Sequence, residues 1–156
     1  MIALLQRVTT ARVQVDGREV ARIDGGLAVL VGVLPGDREA DAEHLLARVL
    51  AYRIFDDGAG RMNKSLTDVA GGLLLVPQFT LAADTHKGLR PGFSQAAPPA
   101  LGERLFAHMA ARAKADHRPG GRPDAVQCGV FGAHMQLSLT NDGPATFWLE
   151  YPAASG

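Results

Sequence analysis

The chain has 156 residues, of which 47% are hydrophobic and 21% are charged, values typical of one globular domain spanning residues 1–156. Its 16 Lys and Arg residues equal its 16 Asp and Glu residues, which argues against broad, charge-driven binding along a nucleic acid but not against contact with one end of it. A single cysteine, Cys128, excludes an internal disulfide and a thiolate metal cluster.

Residues 2–33 are predicted to form β-strands. Val13 and Val15 alternate with polar neighbours, Asp16-Gly17 is typical of a hairpin turn, and residues 27–33 are apolar enough for a buried strand. The opening MIALLQRVTTARV is neither a signal peptide nor a membrane span. We therefore expect a soluble, cytoplasmic protein with no membrane partner.

The hydrophobic period then changes to that of helices. Apolar residues recur at helical spacing from residue 38 to about 55, and again from 98 to 116 after prolines that suit a helix start. Between them residues 71–84 are predicted to be a buried strand, and after the loop RPGGRP come AVQCGVF, AHMQLSLT and ATFWLEY as further strands. The order βββ-α-β-α-βββ predicts an α+β fold of antiparallel or mixed sheets with two packed α-helices.

Metal and cofactor motifs are missing from the sequence. The five histidines form no HxxxH or HExxH pair, and there is neither a phosphate-binding loop nor a GxSxG elbow. We predict no metal site and no cofactor. Cys128, between Gln127 and Gly129, is interpreted as a packing residue in preference to a nucleophile.

The segment VPQFTL at 76–81 places polar side chains where the strand was apolar. Strand alternation puts Gln78 and Thr80 on the face of Val76, and Pro77 cannot donate to a ladder, which indicates an edge or a strand end. An exposed end with free backbone amides would suit a pocket wall. A partly solvated strand end is the simpler alternative on pattern alone.

The segment NDGPAT at 141–146 lies between two apolar alternating runs and is predicted to be a hairpin turn. Pro144 after Gly143 removes a backbone donor and restrains the glycine, which is unusual for a simple reversal. The Gly-Pro peptide is therefore a candidate for display to another molecule.

Together these segments resemble the two signatures of the D-aminoacyl-tRNA deacylase family, Ser-Gln-Phe-Thr and Asn-x-Gly-Pro-x-Thr. The resemblance extends to the opening seventeen residues and to RMNKSL, KGLRPGFS and GVFGAHMQLSL, and so covers nearly the whole chain. Two departures are that Pro77 replaces the serine, whose hydroxyl role cannot transfer, and that the RPGGRP loop looks longer than usual.

The resemblance implies a barrel-like roll that forms a homodimer, with two active sites at the subunit interface. It implies hydrolysis of the ester at the 3′ end of D-aminoacyl-tRNA and of mischarged glycyl-tRNA, with L-aminoacyl-tRNA rejected. Selectivity would come from a cis Gly143-Pro144 peptide inserted into the partner's pocket. Without the resemblance the trans form would be expected, since only about 5–6% of X-Pro bonds in folded proteins are cis. The rivals are an editing deacylase for another mischarged tRNA and a non-catalytic RNA 3′-end module.

The resemblance also implies roles for single residues, in a pocket expected to lack histidine, cysteine and carboxylate groups. The oxyanion would be held by amides near Phe79 and Thr80, with Thr80 positioning water more than attacking and the terminal 2′-hydroxyl of the tRNA assisting. Phe79 could equally be a core residue, and for Met135 the core is the safer assignment. Arg90 and Lys87 either meet phosphates or are solvated, and for Lys87 the solvated alternative is preferred. The candidate set is catalytic Thr80, Gln78 and Phe79; chirality-selecting Gly143, Pro144, Asn141, Thr146 and Met135; and tRNA-contacting Arg90 and Lys87.

Overall fold

Strand β1 (Ile2–Val15) organises the sheet in this computed structural model, which describes residues 1–86 and 88–151. It pairs antiparallel with β2 (Arg18–Ile23), with β3 (Gly26–Gly32) and with β8 (Met135–Glu150). Asp16 and Gly17 have φ angles of 49° and 74°, which the two-residue turn between β1 and β2 requires.

Parallel strands extend the sheet on the other side of β3. Strand β6 (Gly72–Pro77) pairs parallel with β3, and β7 (Val126–Cys128) pairs parallel with β6. Helices α1 (Glu39–Ala51) and α3 (Pro99–Asp116) bury their apolar faces against one side of this mixed sheet. The predicted α+β class with two packed helices is confirmed.

Two buried clusters lie on the two sides of the sheet, and β1 contributes to both. Leu5 packs in the cluster under the helices, whereas Val8 and Val13 pack with Ala28 and Leu74 on the opposite side. The outer halves of β1 and β8, with β2, therefore fold over the sheet and give the barrel-like roll. No helix of the described residues is long and apolar enough to cross a membrane.

Three short elements between α1 and β6 were not predicted. The first helix ends at Ala51, not near residue 55, because the backbone becomes extended at Tyr52. Strands β4 (Phe55–Asp56) and β5 (Met62–Lys64) then pair, and helix α2 (Leu66–Val69) follows. Elements of two to four residues show no periodicity that a sequence could reveal.

The predicted strand over 71–84 was wrong beyond Pro77. A 3₁₀ helix, Phe79–Ala82, follows β6 after one residue. Pro77 has no N–H to continue the ladder, so the strand ends where the sequence allowed an edge or an end.

The predicted hairpin at 141–146 was also wrong, because β8 runs through this segment without reversing. It pairs with β1 from Val15↔Met135 to Ile2↔Glu150. Between Thr10↔Thr140 and Gln6↔Thr146 the register advances 10 − 6 = 4 residues on β1 and 146 − 140 = 6 on β8, which leaves two residues of β8 in excess. We call this bulged segment, residues 141–145, the corner. A proline that cannot donate to the ladder is accommodated by such a bulge as well as by a turn.

Candidate active site

A cavity of about 480 Å³ opens where β3, β6 and the 3₁₀ helix meet α3 and the 129–135 loop. Its walls are mostly apolar, with Val31, Val76, Phe106, Phe131 and Leu137 among the lining residues. The polar side chains in the lining are Gln78 and His134, so the expectation of a pocket without histidine was wrong. The size suits a small ligand.

The 3₁₀ helix presents free backbone donors at this cavity. The N–H of Gln78 donates to Val31 O at 2.8 Å, which anchors the start of the segment to β3. The next two N–H groups, of Phe79 and Thr80, have no hydrogen-bond partner within residues 1–86 and 88–151. They are the donors that the start of any helix leaves unused.

Gln78 and Thr80 are neighbours, as predicted, but for a different reason. The Gln78 side-chain amide donates to Thr80 Oγ1 across the start of the 3₁₀ helix and not along one face of a strand. Phe79 is 58% exposed and lines the cavity, so it is not a core residue.

Met135 lies on the opposite wall of the cavity, at the start of β8. Its Sδ accepts from the N–H of Val130 at 3.3 Å. A Cβ at Gly129 would lie 2.8 Å from that sulfur and 3.3 Å from Pro77 Cδ, so a larger residue there would require the Met135 side chain to shift. Burial raises the pKa of the neighbouring Cys128 thiol, which suits the packing role that the sequence indicated.

The corner is clamped by a residue that the sequence analysis missed. Arg7 donates through Nε to Asp142 O at 3.1 Å, pairs with Asp142 Oδ2 at 3.0 Å, and donates through its guanidinium to Ile54 O at 2.5 Å. The side chain of Arg7 is only 14% exposed. The one available indication of this role was a charged side chain soon after the apolar run Ile2–Leu5 at the start of β1.

Asn141 and Thr146 hold the two ends of the corner. The Asn141 amide donates to Arg7 O at 3.0 Å and to Ala145 O at 3.3 Å, and Thr146 Oγ1 accepts from Gln6 at 3.3 Å. Between them Gly143 and Pro144 are exposed, and the bond joining them is cis.

The corner and the cavity lie at opposite ends of the sheet in one chain. Val8 of β1 pairs with Asn141 and with Gly26, whereas Ala3 pairs with Val31, to which Gln78 is bonded. Five residues of strand separate Val8 from Ala3, a distance of about 17 Å at 3.3 to 3.4 Å per residue. Of the predicted chirality-selecting residues, Met135 therefore meets the predicted catalytic residues at the cavity, whereas Asn141, Gly143, Pro144 and Thr146 do not meet them within one chain.

The two predicted tRNA-contacting residues lie in the loop after the 3₁₀ helix. Asp84 and Gly92 exchange two backbone hydrogen bonds, of 2.8 and 3.0 Å, that close this loop. Arg90 is exposed on it and makes no ion pair with the residues that the structure describes. Lys87 lies outside the described residues.

Comparisons with known proteins identify the family. The family model described as D-Tyr-tRNA(Tyr) deacylase matches residues 4–150. A protein of Thioalkalivibrio sulfidiphilus (strain HL-EbGR7) named D-aminoacyl-tRNA deacylase is 59% identical over 152 residues, covering 97% of this chain and 98% of that one.

Solved structures share the fold. One titled c-Myc DNA Unwinding Element Binding Protein has a TM-score of 0.90 at 36% identity, covering 98% of this chain and 100% of that one. Another, of a probable eukaryotic D-amino acid tRNA deacylase, has a TM-score of 0.78 at 20% identity over 95% and 97% of the chains, which shows the fold alone. The resemblance seen in the sequence is thus confirmed, and the chain belongs to the D-Tyr-tRNA(Tyr) deacylase family.

Proposed function

We propose that this chain hydrolyses the ester between a D-amino acid and the 3′ end of tRNA, giving the free amino acid and tRNA. The observation that carries the proposal is the pair of free N–H groups, of Phe79 and Thr80, at a cavity large enough for a small ligand. The names of the relatives agree with it.

The proposed chemistry is attack of water on the ester carbonyl. The resulting tetrahedral intermediate carries an oxyanion, which the free amides of Phe79 and Thr80 beside the cavity would stabilise. One such donor contributes about 3 kcal/mol to the transition state, or about 100-fold in rate. Gln78 orients the Thr80 hydroxyl, which positions the water or the carbonyl.

We do not propose Thr80 as the nucleophile. Its hydroxyl contacts the amide of Gln78, which cannot take up a proton as a general base does. His134 lines the same cavity but makes no hydrogen bond with Thr80 in the described part of the chain. We therefore propose that the terminal 2′-hydroxyl of the tRNA assists the attack.

Selectivity is proposed to require a second copy of the chain. Because the corner is about 17 Å along β1 from the cavity, it would enter the cavity of a partner in a homodimer. The exposed backbone of Gly143 and Pro144 would then face the α-carbon of the substrate, accept a hydrogen there and exclude a Cβ. D-aminoacyl and glycyl esters would be cleaved, and L-aminoacyl esters would not.

Turnover of D-tyrosyl-tRNA by the purified protein tests the activity directly. We expect release of D-tyrosine with multiple turnovers, measured by acid precipitation of radiolabelled substrate. Binding without release would favour the non-catalytic 3′-end module, and cleavage confined to another mischarged tRNA would favour a different editing activity.

Thr80→Ala is expected to lower the single-turnover rate about tenfold, because water or the carbonyl loses one positioning contact. Thr80→Ser, which keeps the hydroxyl beside Gln78, is the matched control and should retain the rate. An unchanged rate in Thr80→Ala would remove this residue from the chemistry. A loss of several thousandfold would instead make it the nucleophile.

Arg7→Lys is expected to lower kcat/KM about tenfold, because lysine cannot hold Asp142 and Ile54 together with one planar group and the corner shifts. Urea unfolding should show a loss of about 2 kcal/mol in the free energy of unfolding. Arg12→Lys is the control, since Arg12 is exposed on the same strand and makes no ion pair among the described residues. Equal kcat/KM values for Arg7→Lys and Arg12→Lys would show that Arg7 does not hold the corner in place.

A further inference from the structure

Two aromatic side chains beside the cavity are exposed together. Phe79 is 58% exposed and Phe93 is 42% exposed, with ring centroids 5.2 Å apart and planes inclined by 56°. The bonds between Asp84 and Gly92 close the intervening loop, which returns Phe93 to the side of the 3₁₀ helix. We call Phe79 and Phe93 the aromatic pair.

The core does not account for the aromatic pair. Neither ring belongs to one of the two buried clusters, and Leu89 of the same loop is also fully exposed. Large apolar groups left in water beside a binding cavity are typical of an interaction surface. Phe79 belongs to both features, since it lines the cavity and contacts Phe93.

We infer that the aromatic pair is a stacking platform for the unpaired nucleotide that precedes the terminal adenosine of the tRNA. This inference rests on the proposed function, which places the aminoacylated end in the cavity. A strand that leaves the cavity over Phe79 next meets Phe93. Unpaired bases stack on exposed aromatic rings with little dependence on sequence.

The charge of the loop favours RNA as the occupant over a second copy of the chain. Arg90 lies three residues before Phe93, is exposed, and has no carboxylate partner in residues 1–86 and 88–151. The carboxylate of Asp84 is engaged by the N–H of His86 at 2.9 Å. An arginine free to meet a phosphate beside aromatic rings is the combination found on single-stranded nucleic-acid surfaces.

The test compares two substrates that differ only beyond the terminal nucleoside. D-tyrosyl-tRNA reaches the aromatic pair, whereas the D-tyrosyl ester of adenosine ends in the cavity. For Phe93→Ala we expect kcat/KM on the tRNA substrate to fall about tenfold, with no change on the adenosine ester. Phe93→Leu, which keeps an apolar contact with Phe79, should show the same selective loss, and Phe93→Tyr should show none.

Other results would overturn the platform. They are an equal loss of kcat/KM on both substrates, or no loss of kcat/KM on either. A change in the mass of the Phe93→Leu variant in solution would instead make the aromatic pair a contact between subunits. Suppose that the wild-type protein cleaves both substrates and the Phe93 variants keep its ratio of kcat/KM between D-tyrosyl-tRNA and the adenosine ester. In that case the platform fails and the proposed function stands. If the wild-type protein cleaves neither, the proposed function fails and the platform with it.

Discussion

Phe79→Pro is expected to lower kcat about 100-fold below that of Phe79→Ala, because one oxyanion donor contributes about that much. Both variants lack the ring, and only proline also lacks the N–H. Phe79 is the first residue of the 3₁₀ helix, a position where proline is well tolerated. Gln78 before it has φ −145° and ψ 79°, which is outside the helical region that a following proline disfavours.

Single-turnover hydrolysis of D-tyrosyl-tRNA measures this difference. Urea unfolding of both variants controls for the fold, and similar unfolding midpoints are expected because the Phe79 N–H has no partner to lose within the described residues. Equal rates for proline and alanine would show that this amide does not hold the oxyanion.

D-tyrosyl-tRNA is expected to be hydrolysed about 100 times faster than L-tyrosyl-tRNA, since forcing a Cβ against fixed backbone costs about 3 kcal/mol. The corner cannot easily give way, because Arg7 holds Asp142 and Asn141 holds Ala145. Glycyl-tRNA, which has no Cβ, should be cleaved like the D-substrate. Comparable hydrolysis rates on D-tyrosyl-tRNA and L-tyrosyl-tRNA would show that the corner does not discriminate between the two substrates.

Gly143→Ala tests the same role from the side of the protein. An added Cβ would lie 2.8 Å from Asn141 Oδ1, so the Asn141 side chain must move and loosen its bonds to Arg7 and Ala145. We expect kcat/KM on D-tyrosyl-tRNA to fall and the D-to-L ratio to narrow. Ser138→Ala, exposed on the same strand, is the control and should change neither.

The hydrophobic pattern of the sequence predicted the longer elements, in which buried residues repeat at one regular spacing. Strands β1 to β3 and helices α1 and α3 bury faces that repeat every two or every 3.6 residues, and these were found close to their predicted positions. The run over 71–84 is apolar throughout, and that property does not separate a strand from a 3₁₀ turn. Only the ladder with β3, which stops at Pro77, decides between them.

The structure of the corner could not be predicted from the residues next to it in the sequence. Asn-Asp-Gly-Pro fits a reversal and a bulge equally, and the outcome is decided because residues on both sides of it pair with the one strand β1. Arg7 was missed for the same reason: its partners Ile54 and Asp142 are 47 and 135 residues away. The two signatures themselves were found through family resemblance, and strand phase alone would have left Gln78 and Thr80 at a solvated strand end.

The pairing of β1 with β8 has a consequence for the order in which the molecule forms. These strands lie near the two ends of the chain, so their ladder closes a loop of well over a hundred residues and gives the fold a high contact order. The clamp between Arg7 and Asp142 exists only after that closure, and Met135 reaches the cavity wall through the same strand. We therefore expect the corner and the Met135 wall of the cavity to be completed only after β1 and β8 have paired.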